Sequence, residues 1–131
     1  ALLGRNMEQA RSAAMYLRVH LDSQGRLQSF LHTHWLAGGL WHILKWQEPA
    51  ERVHAYLFTR IIDLTSSNLA WMILTMRMVG FAANHPLIEQ SATFLENGQQ
   101  PDGHWLSEDG PSYDIHATLE ALRALQLCGR G

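Results

Sequence analysis

An approximate forty-residue repeat is the feature that most limits what this chain can fold into. Aromatic-leucine pairs at residues 16–17, 56–57 and 94–95 each close a segment with apolar periodicity, and their spacings are 40 and 38 residues. A polar turn follows each pair, and a second apolar segment follows each turn. Self-similarity at this period is typical of stacked helical units that bury a shared core. The pattern therefore predicts an all-α chain of three helix-hairpin repeats.

Local signals support helices and give no alternating pattern of the kind that predicts strands. In the first segment, apolar residues recur at the i, i+3, i+4, i+7 spacing of an amphipathic helix. Pro49 and Pro86 stand at expected first helical positions, where the missing backbone donor costs nothing. A serine at 66–67 is the expected N-cap of the fourth helix. Gly80 and Gly129 follow apolar segments, as C-terminal glycines of helices do, and Gly80 would end that same fourth helix.

Length and charge narrow the class of protein. The chain has 131 residues, which predicts one domain over residues 8–131, after a leader or an added remnant at 1–7. The net charge is −2 and no basic run is present, so we expect no nucleic-acid partner. No apolar run reaches the roughly 18 residues that span a bilayer, so we expect no integral membrane segment.

Cysteine content points to a compartment and excludes one type of metal site. The single Cys128 excludes an internal disulfide and a zinc site made of several cysteines. A lone cysteine fits a reducing environment, so we expect a cytoplasmic protein. The sequence does not indicate any cofactor.

The turn of the third repeat carries the most specific pattern in the chain. Residues 94–105 read FLENGQQPDGHW, in which Gln99 precedes a turn and Trp105 follows it. Within the turn, proline presets φ, the carboxylate of Asp102 can accept from the backbone, and Gly103 permits a left-handed conformation. This arrangement resembles the Gln-Trp repeat of the squalene-hopene cyclases and, more loosely, the repeats of protein prenyltransferase β subunits.

The resemblance implies an α/α toroid, in which paired helices surround a central cavity. In that family the glutamine side chain ties the end of one helix to the next helix, and the tryptophan packs over it. It thus implies a structural role for four residues, which are Gln99, Asp102, Gly103 and Trp105. The first repeat keeps Asp22, Gly25 and a leucine in place of the tryptophan, and the second departs further.

Three hairpins are too few to close a ring, so the resemblance predicts a partial toroid. Its inner faces and open ends would expose apolar surface, which soluble monomers avoid on a large scale. We therefore expect a homodimer in which two copies complete one ring around a shared cavity. Two alternatives are a piece of a larger cyclase-like protein and a compact bundle without a cavity.

The ligand that the resemblance implies is a hydrophobic, isoprenoid-like small molecule, and the implied reaction is a cyclisation or an isomerisation. The catalytic residues of the family do not carry over. The chain has no DxDD acid motif of the cyclases and no Asp-x-Cys pair of the zinc-dependent prenyltransferases.

Two polar clusters are the candidate catalytic groups. His32 and His34 come at the start of the first inner helix, and Asp114 and His116 occupy the equivalent place in the third repeat. If they converge, their nitrogen and oxygen atoms would suit Zn²⁺ or Fe²⁺. Without a metal, Asp114 could orient His116 as a general base. If the protein is an enzyme, we expect His34 or His116, with Asp114, to help the reaction. In the alternative interpretation these side chains cap helices or face solvent, and no metal site is assigned.

Aromatic and methionine side chains on the inner helices are the candidate substrate-binding residues. We expect Trp35, Trp71, Met72 and Met76 to line the cavity, where aromatic faces can stabilise a carbocation. The alternative is ordinary core packing, which such a stripe at helical spacing also fits.

Two further functions remain open. One is a non-catalytic helical-repeat module that offers a groove to a partner protein, as helical arrays do. The other is a metal-dependent enzyme that uses the histidine cluster.

Overall fold

A computed structural model describes residues 2–130 of the chain, with side chains from residue 7 onward. Within that range the fold is all-helical and contains no strand, which confirms the predicted class. The six α-helices are α1 (Leu2–Val19), α2 (Leu31–Ile43), α3 (Gln47–Phe58), α4 (Ser66–Met78), α5 (Pro86–Asn97) and α6 (Asp114–Leu127). Single-turn 3-10 helices lie at Ile61–Asp63 and Pro111–Tyr113. The leader predicted at 1–7 falls mostly outside the described side chains.

The chain forms two compact units, Ala1–Leu57 and Phe58–Gly131. The core of the first unit joins α1, α2 and α3, and Trp41 of α2 lies in it fully buried. The indole N–H of Trp41 donates to the carbonyl of Ala14 in α1 at 3.1 Å, so the buried donor is satisfied. One domain over residues 8–131 stays a prediction.

In the second unit, α4 packs against both α5 and α6. The buried side chains of α6 are small: Ala117, Ala121 and Ala124 recur at helical spacing. Small side chains let α6 approach α4 closely. The buried side chains of α4 and α5 are larger, and they include Leu69, Met72, Ile73, Met76, Leu87, Ile88 and Leu95.

Two of the predicted helix starts need correction. Pro86 is the first residue of α5, as predicted. Pro49 is the third residue of α3, still in the first turn where proline is tolerated. The N-cap of α4 is Thr65, rather than a serine at 66–67, because its hydroxyl accepts from the N–H of Asn68 at 3.2 Å.

Helices α2, α4 and α6 end in the same motif, with a left-handed residue just past the C-cap. Gly80 (φ 104°) and Gly129 (φ 74°) take this position in α4 and α6, as predicted. In α2 it falls on Lys45 (φ 64°), the one described non-glycine residue with positive φ. The N–H of Trp46 donates back to the carbonyl of Trp41 at 2.8 Å, which is the Schellman hydrogen bond.

The turns of the first and third hairpins make the same backbone hydrogen bonds 78 residues apart. In each turn the N–H of the first residue donates to the carbonyl of the residue four positions later. The N–H of a positive-φ glycine donates to the carbonyl of that first residue, and all four bonds are 2.8–3.1 Å long. The second hairpin has the 3-10 turn at Ile61–Asp63 instead. The matching residues are Asp22, Gly25 and Arg26 in the first turn and Gln100, Gly103 and His104 in the third.

We predict that Lys45→Gly stabilises the protein. The exposed Lys45 side chain loses little packing, whereas a left-handed conformation costs a residue with a Cβ roughly 1–2 kcal/mol. After the greater backbone freedom of glycine in the unfolded chain is subtracted, the free energy of unfolding should rise by about 1 kcal/mol. Urea unfolding monitored by circular dichroism measures this. Gly129→Ala is the control and should lower stability; a neutral Lys45→Gly would contradict the expectation.

Candidate functional site

A hollow in the second unit brings together two of the residues predicted for a site. Its volume is about 300 Å³. Trp71 comes from α4 and is 41% exposed, and His116 comes from α6 and is also exposed. The remaining lining residues are Ser67, Leu74, Ala117 and Glu120.

The hollow combines an apolar wall with polar groups. Trp71, Leu74 and Ala117 supply apolar surface, whereas His116 and Glu120 supply a ring nitrogen and a carboxylate. Concave apolar surface with a few polar groups is the usual character of a small-molecule site.

The other three predicted binding residues are in the core. Trp35, Met72 and Met76 are fully buried. With no accessible surface, they contribute packing in this structure, and contact with a ligand would need a rearrangement. Their role in binding stays a prediction.

Both ring nitrogens of His34 are bonded to backbone groups. Nε2 accepts from the N–H of Leu27 at 3.0 Å, and Nδ1 lies 3.1 Å from the carbonyl of Phe30. Because a carbonyl only accepts, the proton must be on Nδ1. The imidazole is buried, and its ring also lies 5.2 Å from that of Tyr56. His34 thus fixes the turn to the start of α2, and a catalytic role would require these bonds to break.

We predict that His34→Leu destabilises the fold by about 2 kcal/mol. The substitution keeps an apolar side chain of similar size but leaves the N–H of Leu27 and the carbonyl of Phe30 without their partner. A buried polar group that loses its partner costs roughly 1–3 kcal/mol. Urea unfolding measures the change, with His116→Leu on the exposed side of α6 as the matched control. Equal stabilities of the two variants would show that the bonds of His34 do not matter.

The carboxylate of Asp114 lies toward the turn and not toward His116. One oxygen accepts from the N–H of Ser107 at 2.8 Å, and the other lies 3.8 Å from Nε2 of His104. Across the described side chains, no hydrogen bond or ion pair joins Asp114 to His116. An Asp114–His116 dyad therefore stays a prediction, and in this geometry Asp114 holds the turn before α6.

His104 is a polar residue that the sequence reasoning missed. Its Nδ1 bonds to the carboxylate of Asp102, and its Nε2 faces Asp114, so it lies between two carboxylates. Hydrogen bonds from the side chain and backbone of His104 lower the pKa of Asp102. The Asp-x-His spacing within the turn was the available signal.

In the third turn, Gln99 and Trp105 make different contacts from those that the resemblance implies. The side chain of Gln99 donates to the carbonyl of Gly103 at 2.9 Å, so it bonds inside the turn and not to the next helix. Trp105 makes the connection between helices. Its buried indole N–H donates to Leu95 of α5 at 2.8 Å, and its backbone N–H donates to the hydroxyl of Thr118 of α6 at 2.9 Å.

No metal site is formed by the described side chains. From residue 7 to residue 130, no three His, Cys, Asp or Glu side chains are grouped so that they could hold an ion. His32 and His34 belong to the first unit, and Asp114 and His116 belong to the second, so their convergence stays a prediction.

A larger hollow, of about 600 Å³, lies in the first unit beside the turn between α1 and α2. None of the predicted site residues lines it. Asp22 is one of its lining residues, and its carboxylate accepts from the N–H groups of Gln24 and Arg26, each at 2.9 Å. These backbone bonds, with that of Arg26 the larger cause, lower the pKa of Asp22.

We predict an acid-sensitive contribution of Asp22 to stability. Because folding lowers its pKa, the native state binds this proton less readily than the unfolded chain does. The contribution is therefore fully present above the ordinary carboxyl pKa of 3.8 and is lost as the pH falls below it. Thermal unfolding between about pH 6 and pH 2.5 should show a steeper loss for the wild type than for Asp22→Asn. Parallel curves would contradict this.

None of the described helices is long and apolar enough to cross a membrane. Comparisons with models of protein families, with curated proteins and with solved structures found no match to this chain.

Proposed function

We propose that this chain binds a hydrophobic, isoprenoid-like small molecule in the hollow between α4 and α6. The observation that supports the proposal best is the indole of Trp71, which is 41% exposed on the wall of that hollow although the other tryptophan of the second unit is buried. A large aromatic surface left open at a concave site offers a ligand much apolar contact area.

The lining suggests a ligand with an apolar body and one polar or cationic end. Trp71 and Leu74 suit the apolar part, and the ring face of Trp71 can also attract positive charge. Glu120 and His116 suit the polar end. The volume of about 300 Å³ is at the lower end for small-molecule sites, which favours a short isoprenoid over a long one.

If the ligand is converted, the proposed reaction is a cyclisation or an isomerisation. In such a reaction the substrate's own allylic leaving group, such as a diphosphate, would depart with the bonding electron pair and leave a carbocation, which the face of Trp71 would stabilise. His116 would then accept the proton that the carbocation loses as the new double bond forms. Asp114 would act indirectly, by holding the turn from which α6 starts.

We also propose that the hairpins form a partial α/α toroid that a second copy completes. The shared hydrogen-bond pattern of the first and third turns supports a repeated hairpin unit.

A second candidate function is a helical-repeat module that binds a partner protein. The exposed apolar side chains Ile115 (77%) and Leu119 (61%) on α6 favour it. Binding of a small apolar molecule in the hollow would favour the first candidate, because a protein-binding surface needs no such site.

We predict that Trp71→Ala weakens the binding of geraniol, a short isoprenoid alcohol, by about tenfold or more. Loss of the indole removes most of the apolar wall, and tenfold corresponds to about 1.4 kcal/mol. Isothermal titration calorimetry measures the affinity. The matched control is Met78→Ala, an exposed apolar side chain on the same helix outside the hollow. Absence of binding to the wild type, or equal affinity of Trp71→Ala, would refute the site.

The catalytic part of the proposal is tested separately with His116→Ala. A substrate that the wild type converts should still bind to this variant but should no longer be converted, with the helical circular dichroism signal intact. Chromatography of the products measures turnover. Unchanged turnover would remove His116 from the mechanism without affecting the binding proposal.

A further inference from the structure

The second helices of the three hairpins can be aligned by their common C-terminal motif. The left-handed residues Lys45, Gly80 and Gly129 place α2, α4 and α6 in one register. An independent contact gives the same register for α2 and α6. In α2, the side chain of His34 accepts a hydrogen bond from the backbone N–H of Leu27, which ends the preceding turn. In α6, the side chain of Thr118 accepts in the same way from the N–H of Trp105. His34 and Thr118 are as far apart in sequence as Lys45 and Gly129.

In this register the three helices differ at one side. Trp35 and Gly38 of α2 are buried, and their equivalents in α4 are buried as well. On α6 the side chains equivalent to Trp35 and Gly38 are Leu119 and Leu122, which are apolar and 61% and 39% exposed. Ile115, one turn before Leu119, is 77% exposed. We call them the α6 stripe, which consists of Ile115, Leu119 and Leu122.

On α2 and α4 this side is covered by the hairpin that follows. A methyl group at Gly38 would lie 3.0 Å from Val53 Cγ1 and 2.5 Å from His54 Nε2, so α3 contacts α2 at this point. On α4, both α5 and α6 of the following hairpin pack against the helix, and Arg77 donates to the carbonyl of Leu127 at the end of α6 at 3.0 Å. The α6 stripe has no such cover among the described residues.

The first helices show the complementary difference. We align the first helices by the aromatic-leucine pairs at residues 16–17, 56–57 and 94–95. In that alignment, the positions in α3 and α5 that are equivalent to Gln9 and Ala13 are buried. On α1 both side chains are exposed, and so is Tyr16, whose counterpart Tyr56 contacts the ring of His34 on α2. We call these three residues the α1 face. The buried equivalents are Pro49 and Val53 in α3 and Leu87 and Ser91 in α5.

We propose that the α6 stripe of one copy binds the α1 face of a second copy, in the way that α3 contacts α2. The contact is head to tail, because the two surfaces differ, and such a contact extends or closes into a ring. Charge also matches. Residues 106–127 carry four carboxylates and one arginine, whereas the described side chains of α1 carry two arginines and one glutamate. The pairing does not depend on ligand binding at the hollow.

Two variants that each block one surface test the pairing. Leu119→Arg blocks the α6 stripe, and Ala13→Arg blocks the α1 face. Both positions are exposed, so the helices should form normally, as circular dichroism can verify. Sedimentation velocity should show association of the wild type and monomers of each variant. The control is Ile62→Arg, which replaces an exposed isoleucine (77%) that belongs to neither surface and should associate like the wild type.

An equimolar mixture of the two variants is the decisive sample. Each variant keeps the surface that the other lacks, so the mixture should form dimers and nothing larger. A wild type that stays monomeric up to on the order of 100 µM would overturn the proposal, because two surfaces that bind each other specifically should associate below that concentration. A mixture that stays monomeric while the wild type associates would overturn the head-to-tail pairing.

Discussion

A buried tryptophan N–H that donates to a carbonyl of the preceding helix is the interaction on which both well-formed hairpins depend. Trp105 bonds to Leu95 in this way in the third hairpin, and Trp41 bonds to Ala14 in the first. A large indole in a core excludes water from the carbonyl it contacts, so the pair must be made correctly or a polar group is left unsatisfied. These bonds set how the two helices of each hairpin meet.

The packing around these tryptophans decides where open surface remains. Beside the short, buried Ala117 of α6, Trp71 of α4 is 41% exposed and lines the hollow. On the other side of α6, Leu119 is 61% exposed in the part of the chain that the structure describes. The proposed ligand site and the proposed self-association surface thus lie on different sides of one helix, and each can be tested without the other.

The candidate site shows how far residue types can be interpreted before the fold is known. His34 and His116 stand in similar sequence settings, yet His34 is buried with both nitrogens bonded and His116 is exposed at a hollow. Likewise, Trp35 is buried, whereas Trp71 is partly exposed. Spacing along a helix identifies which side chains share a face, but it does not say whether another helix covers that face.

The sequence by itself determined the helical class and the glycine-dependent helix ends, because these follow from local backbone preferences and apolar periodicity. It placed the turn around Gly103 correctly for the same reason. Only the tertiary structure decided that Trp105, not Gln99, joins α5 to α6, and that Asp114 faces His104 and not His116. Those outcomes depend on which atoms come within bonding distance once helices pack, and the order of residues in one chain does not specify such distances.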